Sequence, residues 1–234
     1  MKVLFIGNSH TYVNDMPALF AKRVSELTGS APEITALMYS GRPLKWHWDE
    51  FYSVRFQLVY GGYDFCVIQQ QGHPFPGEET TMEYGSKIIS MCRDNGVTPV
   101  VYMPWTEKDN LGNIGRVSGC YRRLCAETGA ILAPVGEVFD VINRNSPDIR
   151  LYSPTPGDDH ASVTGDYLIS LTIASAVTGV ADFSGVSDTA LDYRKPDGTL
   201  ISHAGEGFVE LDPQTAKTIK DAVARGMKGE LGFE

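Results

Sequence analysis

Lys2-Val3-Leu4-Phe5-Ile6-Gly7-Asn8-Ser9-His10-Thr11 is the stretch on which the fold turns. The apolar run is too short for a helix and is closed by glycine, so Lys2–Ile6 predicts a buried strand. The run is continuous where a half-exposed strand would alternate, which is the habit of strands covered on both faces of a parallel sheet. Downstream, Met16–Leu27 reads as a helix with Asp15 as its N-cap and Gly29 beyond its end. The alternation then repeats. Strands are expected at Glu33–Met38, Asp64–Gln69, Thr98–Met103 (stopped by Pro104) and Ala130–Pro134. Helices are expected at Asp49–Val59, Glu78–Asp94, Asn113–Thr128, Gly136–Asn143 and Ser162–Thr178. This order predicts an α/β fold, a three-layer α/β/α sandwich around a five-stranded, mostly parallel sheet. After Gly179 the pattern changes: Asp182–Glu210 is rich in Gly and Asp, and Asp212–Met227 reads as a last helix with Pro213 in its first turn. The division expected is a domain over residues 1–179 and an extension, 180–234, packed on it, since so short a piece could hardly bury a core alone.

The 234 residues carry 20 Lys and Arg against 29 Asp and Glu, a net charge of −9. That balance argues against nucleic acid or an anionic membrane as partner, because phosphates are held by clustered cations. With 42% apolar and 21% charged residues the chain has material for a sizeable core. No apolar run approaches the roughly 20 residues that span a bilayer. Cys66, Cys92, Cys120 and Cys125 are too few and too irregular for a disulfide framework or a zinc site, and are expected as reduced, buried side chains. The first residues lack the h-region and cleavage site of a signal peptide, so a cytoplasmic protein is expected.

In an open parallel sheet, ligands bind outside the carboxyl ends of the strands. The loops there read Gly7-Asn8-Ser9-His10-Thr11, Ser40-Gly41-Arg42, Gln69-Gln70-Gln71-Gly72-His73, Pro104-Trp105-Thr106-Glu107 and, before the last long helix, Gly157-Asp158-Asp159-His160-Ala161-Ser162. Each is polar or contains glycine. A serine after the first strand and a histidine before that helix suggest a nucleophile and its base, because a serine hydroxyl needs an adjacent imidazole to take its proton. Donors for the resulting oxyanion are available by position in the Ser9 N–H, the Gly41 N–H and a side-chain amide of the Gln run. Metal readings fail on spacing, and neither glycine-rich phosphate motif is present. No cofactor is called for.

These residues also carry a resemblance. A strand followed by Gly7-Asn8-Ser9, an isolated Gly41, an amide after the third strand and Asp-His before the last long helix resemble the four blocks of the SGNH (GDSL-like) hydrolase family, over residues 1 to about 178. The resemblance implies a flavodoxin-like sandwich and an ester hydrolase. Ser9 is then the nucleophile, His160 the base, Asp158 the orienting carboxylate, and Ser9, Gly41 and Gln71 the oxyanion hole. Two blocks depart from the family pattern. Gly-x-Asn-Asp is replaced by Gln69-Gln70-Gln71-Gly72, with Gln71 the expected donor and Gln69 the fallback. The usual Asp-x-x-His has Gly157 three residues before His160, leaving Asp158, Asp159 or a backbone carbonyl to hold the imidazole.

The substrate expected is a small-molecule ester carrying a short acyl (acetyl) group, with a saccharide as the expected alcohol. His10, Trp46, His73 and Trp105 are candidates to line its site, with His47 and Trp48 beside them. Arg42 stands next to the glycine of the hole. The competing reading is a non-catalytic flavodoxin-like module that binds a sugar or a partner at the same edge. A lipase for long acyl chains is disfavoured because no apolar lid segment is evident. Oligomeric state is not readable from the sequence.

Overall fold

A computed structural model describes residues 1–192 and 207–231. In chain order the elements that build the domain are β1 (Lys2–Gly7), α1 (Ser9–Tyr12), α2 (Met16–Thr28), β2 (Glu33–Met38), α3 (Leu44–Asp49), α4 (Phe51–Tyr60), β3 (Phe65–Gln69), α5 (Glu78–Asp94), β4 (Thr98–Tyr102), α6 (Ile114–Thr128), β5 (Ile131–Ala133), α7 (Val135–Asn145) and α8 (Val163–Thr178). A small antiparallel pair, β6 (Thr189–Asp192) and β7 (Phe208–Glu210), and α9 (Pro213–Met227) follow.

The five main strands are all parallel, in the order β2-β1-β3-β4-β5. This is the doubly wound order whose switch point lies between β1 and β3. Register matters more than order for the site. Gly7 pairs with Met38, Ile6 with Ile68, Gln69 with Tyr102 and Tyr102 with Ala133, so the carboxyl ends of all five strands emerge in one row.

Alternate residues of β1 face opposite layers, as a period of two requires. Val3 and Phe5 join α2, α7, α8 and α9 in one core cluster, while Leu4 and Ile6 join α3, α4, α5 and α6 in the other. Helix α8 is buried from Gly165 to Val177 on every side, and its polar residues there find partners, Ser170 and Thr172 on carbonyls of their own helix and Asp166 on Asn14. The four cysteines are free and buried in the second cluster. From the far end of the chain, α9 contributes Ala216, Ile219 and Val223 to the first. Residues 193–206, the middle of the segment read as Gly- and Asp-rich, lie outside the described residues. Among the described residues no helix is long and apolar enough to cross a membrane.

Three local points differ from expectation. The helix expected over Asp49–Val59 forms, as α4, but a second helix that was not expected precedes it, the two broken apart where Glu50 takes ψ 46°. The first of them, α3, escapes a pattern reading because Leu44–Asp49 has no apolar period. A tertiary contact helps hold it, the His47 Nε2–H donating to the Gly7 carbonyl at 2.9 Å. Asp15 does precede α2, but in the left-handed conformation, as does Asn14 before it (φ 54° and 53°). Two such residues in succession cost on the order of 1–2 kcal/mol each. Asn14 offsets this with its side-chain amide, donating to the Ala161 carbonyl and to Asp166 on α8. Finally, β2 is half exposed, because it is the edge strand.

Candidate active site

The chain leaves β1 through Gly7 and turns at Asn8, whose extended backbone and side-chain oxygen cap α1 by accepting from the His10 N–H. Ser9 is therefore the first residue of a one-turn helix, where a backbone N–H has no partner within the helix. Asn8 is wholly buried and its amide reaches across to donate to the Arg42 carbonyl, tying this turn to the Gly41 loop. Beneath the turn, Gln69 Oε1 accepts from the Asn8 N–H and from the Thr11 hydroxyl, both at 2.9 Å.

That crowding explains Gly7. A Cβ there would stand 2.7 Å from Gln69 Oε1 and 2.9 Å from Thr11 Oγ1. Gly7→Ala should lower stability by about 1–3 kcal/mol, with an earlier urea midpoint and an unchanged slope. An unchanged midpoint would mean that the Gln69 hydrogen bonds do not hold this turn.

His160 is delivered from the other end of the domain. Its loop is stiffened from outside: Lys108 Nζ donates to the carbonyls of Ser153 and Asp158, the Lys108 N–H to Asp159 Oδ1, and the Trp105 indole N–H to the Asp159 carbonyl. Gly157 makes the turn at φ 74°. The result brings together three residues singled out by sequence. Asp158 Oδ1 lies 2.5 Å from His160 Nδ1 and accepts the His160 backbone N–H as well; His160 Nε2 lies 2.8 Å from Ser9 Oγ. Burial pulls the Asp158 carboxyl upward, but hydrogen bonds from Ser153 and from the ring and backbone of His160 outweigh it and bring it to about 2. An ionised carboxylate only accepts, so Nδ1 carries the ring proton and Nε2 offers its lone pair to the Ser9 hydroxyl. Asp159, the alternative carboxylate, is occupied with Lys108.

Ser9, His160 and Asp158 line a cleft of about 560 Å³ with Gly41, Gln71, His10 and His73, a size that suits a small ligand. Gly41 has φ 64° and nothing within 4 Å of the place a Cβ would take. Of the glutamines, only Gln71 lines the cleft, its amide donating to the His73 carbonyl at 3.3 Å. Gln69, the fallback donor, is spent on the Ser9 turn. Gln70 is buried; its oxygen accepts from the Leu44 and Gln71 N–H groups, and its Nε2 has no partner among the described residues.

The aromatic expectations divide. His10 and His73 line the cleft and the tryptophans do not. Trp105 is 1% exposed, stacked at 4.5 Å on Phe139. Trp46 packs against Tyr39, with the Arg42 guanidinium over its ring at 5.4 Å. Large rings at loop positions read alike in sequence whether they face ligand or core. Asn8, Lys108 and Asn14 were not singled out as site-building residues; of these only Asn8, a turn asparagine between strand and helix, carries a local signal.

No family model and no curated protein matches this sequence. Solved structures do. A protein from Slackia heliotrinireducens assigned to the SGNH hydrolases is 24% identical, with a TM-score of 0.63 over 76% of this chain and 98% of that one. TesA is 12% identical (TM-score 0.61, 76% and 99% covered), and the acetyl xylan esterase AlAXEase 16% identical (0.60, 76% and 100%). At such identities the likeness speaks for the fold. The chain has the three-layer fold of the SGNH hydrolases.

Proposed function

We propose that this chain is an ester hydrolase that removes small acyl groups, acetyl foremost, from the oxygen of a saccharide through an acyl-enzyme on Ser9. One observation carries the reading: Ser9 Oγ, the His160 ring and the Asp158 carboxylate are hydrogen-bonded in series along one cleft. On this reading Ser9 Oγ attacks the acyl carbonyl as His160 Nε2 takes its proton, and Asp158 balances the imidazolium. The oxyanion faces the N–H groups of Ser9 and Gly41, and the Gln71 amide turns to it from its long bond with the His73 carbonyl. His160 then hands the proton to the departing alcohol oxygen. Water attacks the acyl-enzyme, giving its proton to His160, and the acid leaves as Ser9 Oγ–H is restored. Residues 1–179 form the hydrolase domain, and the described residues beyond them an extension packed on it.

The lining favours a short acyl group on a polar alcohol. Apart from Pro74 and the histidine rings it consists of polar side chains and glycine, Ser40, Glu107 and Asp159 among them. A long chain finds no aliphatic side chain there beyond the Pro74 ring, and a polyhydroxyl group finds donors and acceptors without a tryptophan platform. Two structures of similar fold, AlAXEase and Axe2 from Geobacillus stearothermophilus, are acetyl xylan esterases by name.

The test is turnover of p-nitrophenyl acetate, butyrate and octanoate, followed by treatment with a serine-reactive phosphonate and peptide mapping. Acetate should be cleaved fastest and the adduct should fall on Ser9 alone. A folded protein that takes no label and hydrolyses no ester would sink the proposal and leave a binding module at this edge.

A further inference from the structure

His160 is held at two edges, Nδ1 by Asp158 and Nε2 by Ser9. Two in-plane hydrogen bonds define a line through the imidazole and leave the ring free to tilt about it. Whatever fixes the plane must touch a face. The ring that does so is His10, stacked on His160 with centroids 4.7 Å apart and planes 28° from parallel.

His10 is itself clamped. His73 Nε2 lies 2.9 Å from the Trp105 carbonyl, an atom that only accepts, so this nitrogen carries the proton and His73 Nδ1 is bare. Nδ1 in turn lies 2.9 Å from His10 Nε2, which must donate to it. One backbone carbonyl thus sets the tautomer of two imidazoles. The chain ends on Trp105, the residue whose indole holds the Asp159 carbonyl next to His160. The Tyr102 hydroxyl fixes the other side by donating to the His10 carbonyl.

We propose that His10 is a positioning residue for His160: a buried, neutral ring that sets the plane of the imidazole and receives the imidazolium against its face. The inference rests on the hydrolase reading above. The surroundings favour a neutral His10. Burial, then the neighbouring His73 and His160, hold its pKa well below the ordinary value, against a smaller opposite pull from Asp158. His73 is lowered too, chiefly by burial and further by His160, against the Trp105 carbonyl, Glu107 and Asp159. An uncharged ring offers the electron-rich face that attracts a cation. A charged one would oppose every proton His160 takes up.

The experiment compares His10→Leu with His10→Phe, the second restoring a ring face without the hydrogen bond. Both are checked for a folded spectrum and thermal midpoint. His10→Leu should lose about 10- to 100-fold in kcat on p-nitrophenyl acetate with KM held. Its acid limb should move to lower pH by about half a unit, because the imidazolium loses its support. His10→Phe should recover both. A ring-proton NMR titration of His160 reads the same displacement without turnover, so it stands even if the hydrolase reading fails. Equal loss in both variants, a change confined to KM, or an unmoved His160 titration in His10→Leu would overturn the assignment.

Discussion

Ser9→Ala is expected to lower kcat on acetyl esters by about 10⁶-fold, the size of loss seen when the nucleophile of a serine triad is removed. KM should change little and the thermal midpoint should hold. The structure sets this contrast. The hydroxyl is half-buried and its hydrogen bond runs to His160. The turn that carries it is secured by other groups: the Asn8 cap, the Gln69 oxygen and the Asn8 bridge to Arg42. Steady-state rates, a stopped-flow burst and calorimetry on one preparation decide it. A variant that is folded and still turns over at the wild-type rate would place the chemistry on another residue.

Asp158→Asn should cost on the order of 10⁴-fold in kcat, and Asp159→Asn far less. Two effects combine in the first variant. A neutral amide cannot balance the imidazolium, and if it presents its NH₂ to Nδ1 the ring proton moves to Nε2, which then faces the Ser9 hydroxyl as a donor. Asp159 makes neither contact; its carboxylate serves the Lys108 N–H. The pH dependence has a definite sign. The folded-state carboxyl of Asp158 lies below its ordinary value, at about 2, so its favourable interactions are complete above the usual carboxylate range and are lost only as pH falls toward that figure. Any acid limb between about pH 5 and 8 therefore belongs to an imidazole and not to Asp158. Rate profiles of wild type and both variants test this. Equal losses in the two aspartate variants would mean that the Asp158–His160 contact does not orient the base.

The strands were legible because each is a short apolar run closed by glycine, proline or polar residues, and a parallel sheet then places their carboxyl ends in one row. Four of the five loops nominated on that geometry converge on one cleft, where Ser9, Asp158 and His160 meet, and the fifth adds Glu107. Roles within the glutamine run were not legible. The strand ends at Gln69, so no period assigns the residues after it, and only tertiary partners such as the Ser9 turn and Leu44 show that Gln69 and Gln70 are engaged elsewhere while Gln71 reaches the cleft. Trp105 misled because its local surroundings are those of a ligand-facing loop residue; Phe139, 34 positions away, is what buries it. The two histidine tautomers depend on one backbone carbonyl in a third loop, a fact that no residue type announces.

Ser9 and His160 lie 151 residues apart in sequence, and the second sits just ahead of α8, the most enclosed helix. A chain emerging from the ribosome therefore displays its serine early and unpartnered. Its His160 partner reaches it only when α8 has been made and has taken its place between the sheet and the last helix. Reactivity and completion of the core arrive together, so half-made or misassembled copies carry an inert hydroxyl. On the hydrolase reading, catalytic competence is a late consequence of folding.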